Sequence, residues 1–218
     1  MKSYVKKFFN LFLKGLLAGF ILAIGITAYI ATKGSISGLL LLAISFCVAF
    51  AFEFPTYTSK FCTLIEGKIS ELLDLIVIGA GNLLSIFCFA KLLLMTGKGA
   101  NYRAASYTFS MSRLDDSMFS LMISSILCGI VIAFAVYAFN KFKDKHLLGY
   151  AFLIAAVCMF VLGRLEHSII TTYCFTLSRV WSLNVISRFI CIALGNAIGG
   201  IITSALLVFV RSKDEEDA

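Results

Sequence analysis

The chain alternates long apolar runs with short polar segments, and this pattern predicts its helices. The apolar runs cover residues 13–31, 39–54, 72–96, 119–139, 147–177 and 185–210. About 20 helical residues cross the hydrocarbon core of a bilayer, so runs of this kind indicate membrane-spanning helices. The runs are continuously apolar, whereas the strands of a membrane barrel alternate apolar and polar residues. We therefore predict an all-α membrane protein with six transmembrane helices.

Polar residues interrupt the second and the fifth run. The second ends at residues 53–58, which include Pro55, the only proline of the chain, before a short apolar piece at residues 61–65. The fifth is interrupted at residues 163–168, where a cation, an anion and His167 follow one another closely. Proline disrupts the hydrogen bonds of a helix, and charged groups at membrane depth are costly and usually functional. We predict that both helices are broken at these segments.

Lysine and arginine residues are distributed unevenly between the two sides of the predicted membrane. The side of the amino-terminus carries eleven: Lys2, Lys6, Lys7, Lys14, Lys60, Lys68, Lys141, Lys143, Lys145, Arg211 and Lys213. The other side carries five: Lys33, Lys98, Arg103, Arg113 and Arg179. Three of these five lie in a polar stretch at residues 97–117, which we interpret as a long loop. Because cytoplasmic loops carry the excess of positive charge, both termini are predicted to be cytoplasmic.

Composition narrows the class of protein. Of the 218 residues, 60% are hydrophobic and only 14% are charged, so we expect one transmembrane domain over residues 1–218 and no soluble one. The seven cysteines include no Cys-x-x-Cys pair and are typical of packing residues. The only histidines, His146 and His167, cannot form the His-Glu-x-x-His cluster of an intramembrane zinc protease. We predict no enzyme activity, no catalytic residues, no metal and no cofactor.

The two halves of the sequence resemble each other. Three features recur in the same order at nearly the same spacing: residues 17–23 with 127–133 (offset 110), Glu53 with Glu166 (offset 113), and Asn82 with Asn196 (offset 114). Each half, about residues 12–96 and about 118–210, holds three spans, so the second half crosses the membrane in the opposite direction. In inverted repeats with broken helices, the ligand pathway lies at the repeat interface, and free helix amino-termini there favour an anion. The pattern predicts a transport pathway.

Several motifs together are similar to a known family. They are Gly67-Lys68-Ile69, Gly81-Asn82, Glu-His-Ser-Ile at residues 166–169 and Gly-Asn-Ala-Ile-Gly-Gly at residues 195–200. Through these motifs the chain resembles the formate/nitrite transporter family over nearly all of its length. The resemblance implies an aquaporin-like channel domain that forms a homopentamer in the inner (cytoplasmic) membrane. It implies small monovalent anions, protons and the lipid bilayer as partners, and no nucleic acid.

The resemblance also assigns roles to individual residues. His167 matches the central pore histidine of the family, and Thr56, with Thr58 as an alternative register, matches the threonine that faces it. The other assigned residues fall into three groups: Arg164 and Thr171 in the substrate pathway, Leu40, Ile44, Phe54 and Phe160 at the constrictions, and Glu53, Glu166, Asn82 and Asn196 as scaffold of the helix breaks. We expect His167 to provide a proton or a hydrogen bond, so that a weak acid crosses the constrictions neutral or nearly so.

Some residues have alternative interpretations. His167 could instead only hold the helix break together, bonded to a carbonyl or to Glu166. For Glu53 and Glu166 the leading interpretation is that their carboxylates cap free N–H groups. Arg164 stands where the family usually has glycine, and three roles are open for it: it pairs with Glu166, it reaches towards water, or it adds positive potential to the pathway. Arg188 belongs to an anion-attracting vestibule or anchors lipid headgroups. The alternative function is a related channel with shifted selectivity, for hydrosulfide, nitrite, lactate or ammonia.

Overall fold

The computed structural model of the protein describes residues 2–65 and 70–216, and this part of the chain forms nine α-helices. They are α1 (Lys2–Ala31), α2 (Ile36–Ala51), α3 (Tyr57–Phe61), α4 (Ser70–Leu94), α5 (Gly99–Asp115), α6 (Met118–Lys141), α7 (His146–Leu162), α8 (Ser168–Ser178) and α9 (Leu183–Glu216). The motif at residues 67–69 lies outside the described residues.

Helix lengths separate continuous spans from broken ones. Four segments are long and apolar enough to cross a membrane alone: Tyr4–Ala31, Glu71–Leu94, Met118–Lys141 and Leu183–Lys213. α2 and α7 have only 16 and 17 residues, or about 24–26 Å of helix, and each is followed by a break and a shorter helix. Of the apolar piece at residues 61–65, only the first residue is helical. The predicted fold class, six spans with broken second and fifth helices, is confirmed.

Helix packing relates the two halves as inverted repeats. α1 lies parallel to α4: Lys7 pairs with Asp74 near the start of both helices, and Gly19 packs on Asn82 further along. α6 lies parallel to α9 in the same way, with Gly129 on Asn196. The start of α1 and the end of α6 line one cavity, so the two halves run in opposite directions.

Two glycines allow these close helix pairs. A Cβ on Gly19 would lie 2.6 Å from the carbonyl oxygen of Asn82. A Cβ on Gly129 would meet the carbonyl oxygen of Asn196 and would lie 2.9 Å from the backbone nitrogen of Gly200. Backbone atoms inside a closely packed protein cannot move aside as the end of a flexible side chain can. Both crossings therefore require a residue without a side chain, as is common between membrane helices.

The prediction of a long loop at residues 97–117 is wrong, because Gly99–Asp115 forms the helix α5. This helix packs mainly on α8. Polar side chains make part of this contact. The hydroxyls of Ser106 and Ser110 lie 3.1 and 2.8 Å from the hydroxyl of Ser178, and all three serines are buried. A helix that packs through paired hydroxyls leaves no apolar run in its sequence, so hydropathy alone does not detect it.

The structure pairs the helix breaks differently from the sequence repeat. Glu53 and Arg164 each follow a helix by two residues and share a left-handed backbone, with φ of 54° and 53°. Glu53 is therefore equivalent to Arg164, and its predicted pairing with Glu166 is wrong by two residues. In the same register Thr56 is equivalent to His167, and each of them precedes a half-helix. The sequence misleads here because a glutamate occurs in both breaks.

We predict that Gly129→Ala destabilises the protein by about 1–3 kcal/mol, because the new methyl group is forced against the backbone of α9. Thermal unfolding in detergent should give a clearly lower melting temperature. Gly97→Ala is the matched control, since a Cβ at Gly97 would meet no atom within 4 Å; its melting temperature should stay close to that of the parent. Equal melting temperatures for the two variants would contradict the close crossing of α6 and α9.

Candidate functional site

An asparagine from a neighbouring long helix holds the first break, between α2 and α3. The amide oxygen of Asn82 accepts a hydrogen bond from the N–H of Tyr57, the first residue of α3, at 2.8 Å. Its amide nitrogen donates to the carbonyl oxygens of Gly15 at 2.7 Å and Pro55 at 3.2 Å. One fully buried side chain thus satisfies backbone groups that the interruption leaves free.

Asn196 holds the second break, between α7 and α8, in the same manner. Its amide oxygen accepts from the N–H of Ser168 at 2.9 Å, and its amide nitrogen donates to the carbonyl oxygens of Ser125 at 2.9 Å and Glu166 at 2.8 Å. The hydroxyl of Tyr57 donates to that of Ser168 at 2.5 Å. This last bond brings the starts of the two half-helices together.

His167 lies directly before α8 and is only 2% exposed. Its ring stacks on Phe160 with centroids 5.2 Å apart, and Phe46 packs against it edge-on at 5.6 Å. Within residues 2–65 and 70–216, neither ring nitrogen has a hydrogen-bond partner. Buried polar groups are nearly always hydrogen-bonded, so the two nitrogens are an exception. A histidine that only held the break together would have its ring bonded to a carbonyl or to Glu166. Among the described residues, the ring of His167 is bonded to neither.

A buried ion pair lies next to His167 in the chain. The Arg113 guanidinium on α5 donates from Nε to a carboxylate oxygen of Glu166 at 2.7 Å, and the Thr171 hydroxyl donates to the same oxygen at 3.0 Å. The side chains of the ion pair are 14% and 9% exposed. The Arg164 side chain, in contrast, is exposed and forms no hydrogen bond or ion pair with any described residue. The alternative in which Arg164 pairs with Glu166 is therefore wrong.

Hydroxyl and amide groups, not carboxylates, cap the half-helices. The Thr56 hydroxyl accepts from the N–H of Ser59 at 3.1 Å and lies 3.0 Å from the Thr58 hydroxyl. Glu53 is exposed, and the Glu166 carboxylate is bonded to side chains only, as far as the structure is described. The predicted capping of N–H groups by the two glutamates is therefore wrong. Neutral groups can cap a buried N–H without bringing a charge into the membrane.

The predicted constriction residues do not all lie together. Leu40 and Ile44, predicted at the constrictions, are 45% and 48% exposed, unlike the buried rings at His167, and their role at a constriction stays a prediction. Phe46 and Phe160, 7% and 2% exposed, contact His167. α2 is apolar on all sides, and the sequence of such a helix does not reveal which face is buried.

Phe54 lies apart from the histidine, at a cavity of about 510 Å³ where α1 begins and α6 ends. Its ring stacks on Phe52 with centroids 5.6 Å apart. Lys14, Lys60 and Lys143 also line this cavity. The molecule therefore has a partly basic recess on the face of its amino-terminus.

Comparison with known proteins identifies the family. The sequence model described as "Formate/nitrite transporter" matches residues 1–210. The chain belongs to the formate/nitrite transporter family. A comparison with curated proteins found no match in sequence.

Two solved structures have a similar fold. One, described as "Pentameric formate channel with formate bound", has a TM-score of 0.80 and 19% identity, with coverage of 95% of this chain and 98% of that one. Another, described as "FNT family ion channel", has a TM-score of 0.71 and 17% identity, with coverage of 93% and 90%. Within the described residues, this transporter has no cluster of three or more histidine, cysteine, aspartate or glutamate side chains that could hold a metal ion.

Sequence reasoning missed three contributors to the site of this transporter: Phe46, Tyr57 and Arg113. A usable signal exists for Arg113, because a carboxylate at membrane depth such as Glu166 needs a counter-charge. None exists for Phe46, which is one apolar residue among many in α2.

Arg188 has a role that neither sequence-based alternative included. Its guanidinium donates to the backbone carbonyl oxygens of Arg113 and Asp116, each at 2.7 Å. It thus fixes the junction of α5 and α6 and, indirectly, the position from which Arg113 reaches Glu166.

We predict that Arg113→Met destabilises this transporter by about 3–5 kcal/mol, since it leaves the Glu166 carboxylate buried without a counter-charge. Melting temperatures in detergent measure the loss, and adding Glu166→Gln to the variant should recover part of it. Arg164→Met removes an exposed arginine and should change stability by less than about 0.5 kcal/mol. A larger loss for Arg164→Met than for Arg113→Met would reverse the assignment of the ion pair.

Proposed function

We propose that the protein is a channel for small monovalent anions of weak acids, of the formate or nitrite type. The observation that carries the proposal is His167, a buried imidazole between two phenyl rings whose nitrogens have no partner in the described chain. It lies where the two helix breaks meet. Membership of the formate/nitrite transporter family supports the same assignment.

The imidazole of His167 can lower the energy barrier that an anion meets in such a pore, which is mainly the cost of losing water. Phe46 and Phe160 create an apolar layer in which an anion loses most of its water, at a cost of several kcal/mol. A ring N–H of His167 donates a hydrogen bond to the oxygen of the passing anion. Where the ring is protonated, the imidazolium gives its proton to that oxygen and takes it back when the anion leaves. The acid then crosses the layer with its charge reduced or removed and is released as an anion beyond it. This role requires ring nitrogens that are not already hydrogen-bonded to the protein, and both nitrogens of His167 meet it among the described residues.

The surrounding charges suit an anion pathway. Arg113 neutralises the Glu166 carboxylate, which would otherwise repel an anion beside His167. At the face of the amino-terminus, Lys14, Lys60 and Lys143 line the 510 Å³ cavity with one carboxylate, Glu53, and this excess of positive charge raises the local concentration of anions. Arg164, exposed three residues before His167, adds positive potential at the second break.

We further propose a homopentamer in the cytoplasmic membrane with both termini in the cytoplasm. The fold is similar to that of a structure described as a pentameric formate channel, over 95% of this chain. The excess of lysine and arginine on the side of the amino-terminus supports the orientation.

Flux into proteoliposomes tests the substrate and the role of His167. We expect formate and nitrite to enter faster as the external pH falls, because a larger fraction of each acid is then neutral. Loss of one hydrogen bond to a charged group corresponds to roughly a 10- to 100-fold slower flux for His167→Asn. His146→Asn, which changes the only other histidine of the chain, should behave as the parent.

Two outcomes would contradict this assignment. Equal flux through His167→Asn and the parent would remove the histidine from the mechanism. Transport of hydrosulfide or lactate without formate or nitrite would leave a channel but change its substrate.

The native mass of the purified protein tests the assembly. We expect a species of five chains in mild detergent, because the exposed apolar surface of a single copy is then partly covered by its neighbours. A monomer, dimer or tetramer as the largest stable species, observed in several detergents, would argue against a pentamer.

A further inference from the structure

A second recess lies on the face opposite the amino-terminus, away from the histidine. It is a crevice of about 570 Å³ between the end of α4, the first turns of α5 and the end of α8. Leu94, Ala100 and Ala104 form its apolar part, and Arg103, Tyr107 and Arg179 its polar part. We call it the two-arginine crevice.

Among the described residues, no acidic side chain pairs with either guanidinium group of the crevice. In the described part of the chain, neither Arg103 nor Arg179 forms a salt bridge, and neither side chain donates a hydrogen bond. Each guanidinium carries five N–H donors in a planar fork that fits the oxygens of a phosphate or carboxylate. Two such groups on one crevice form a site that matches a ligand of negative charge.

The crevice is separate from the proposed anion pathway. Its α5 residues lie at positions 100, 103, 104 and 107, a spacing that puts them on one face of the helix. Arg113, which bonds Glu166, is ten residues further along α5 than Arg103, about 15 Å of helix. His167 and Arg179 flank the two ends of α8, with about 18 Å of helix between them. An anion held between Arg103 and Arg179 is therefore at the far end of α8 from the histidine.

The position of the crevice indicates what kind of anion it takes. It begins at Leu94, the last residue of the spanning helix α4, where headgroups of the bilayer are expected. Leu92 and Met95 beside it are 60% and 82% exposed, which suits contact with acyl chains. A ligand with an anionic headgroup and an apolar tail satisfies both parts of the crevice. We propose that the two-arginine crevice binds the phosphodiester headgroup of an anionic phospholipid.

Native mass spectrometry of the intact protein, titrated with phosphatidylglycerol, phosphatidylcholine or inorganic phosphate, tests the proposal. We expect phosphatidylglycerol to bind most tightly and Arg103→Gln/Arg179→Gln to weaken it by roughly tenfold or more. Lys33→Gln/Lys98→Gln is the matched control: it removes two exposed cations from the same face that do not line the crevice. Its affinity for phosphatidylglycerol should stay close to that of the parent.

The outcomes separate the lipid from other sources of negative charge. Unchanged affinity in the arginine variant, or equally tight phosphatidylcholine, would overturn the proposal. Displacement of phosphatidylglycerol by millimolar inorganic phosphate would identify a site for free anions instead. Loss of the native oligomer in the variant before lipid is added would identify a contact between copies. If the double variant does not fold, Arg103→Gln and Arg179→Gln tested singly should each weaken phosphatidylglycerol several-fold, and no change in either would overturn the proposal.

Discussion

Inside a bilayer every backbone N–H and C=O must find its partner within the protein, and the two helix breaks depend on how this is done. Asn82 and Asn196 each accept a bond from the first N–H of a half-helix and donate to two carbonyls, one of them in the break itself. An amide can do both at once and carries no charge, whereas an ionised carboxylate in the same place could only accept. Without these two side chains, the breaks would expose unpaired backbone groups to an apolar interior.

The symmetric scaffold carries asymmetric chemistry. Thr56 and His167 occupy equivalent positions, yet the threonine hydroxyl bonds its own half-helix while the imidazole nitrogens have no partner among the described residues. The ion pair of Arg113 and Glu166 also lies at the second break, and its arginine comes from α5, between the two halves. A carboxylate next to the imidazole would work against an anion, so the arginine contributed by α5 is what makes Glu166 compatible with the proposed function. The helix that sequence reasoning interpreted as a loop is thus essential to the site.

The sequence predicts a structural feature of this protein only where the residue that makes it differs in type from its neighbours in the chain. The spans, the two breaks and the asparagines stand out from uniform apolar segments, and the structure has them in the predicted order. Phe46 does not stand out in α2, so its role at His167 could not be separated from the roles proposed for Leu40 and Ile44. The equivalence of Glu53 and Arg164 rests on backbone angles, which the residue types hide. The partner of Glu166 is distant in the sequence, and only the folding of α5 onto α8 brings it near.

The matching contacts of Asn82 and Asn196 at the two breaks have a consequence for how current through the protein depends on its direction. An inverted repeat presents the same order of helices to an ion from either side of the membrane. The repeated helices alone therefore do not favour one direction of ion movement. Any rectification of current must then come from the residues that break the symmetry: His167 in one repeat, the pair of Arg113 and Glu166, the lysine-lined recess on the face of the amino-terminus, and the exposed Arg164 beside the second break. Measuring current against voltage in both directions would therefore report on these few side chains and very little on the fold that carries them.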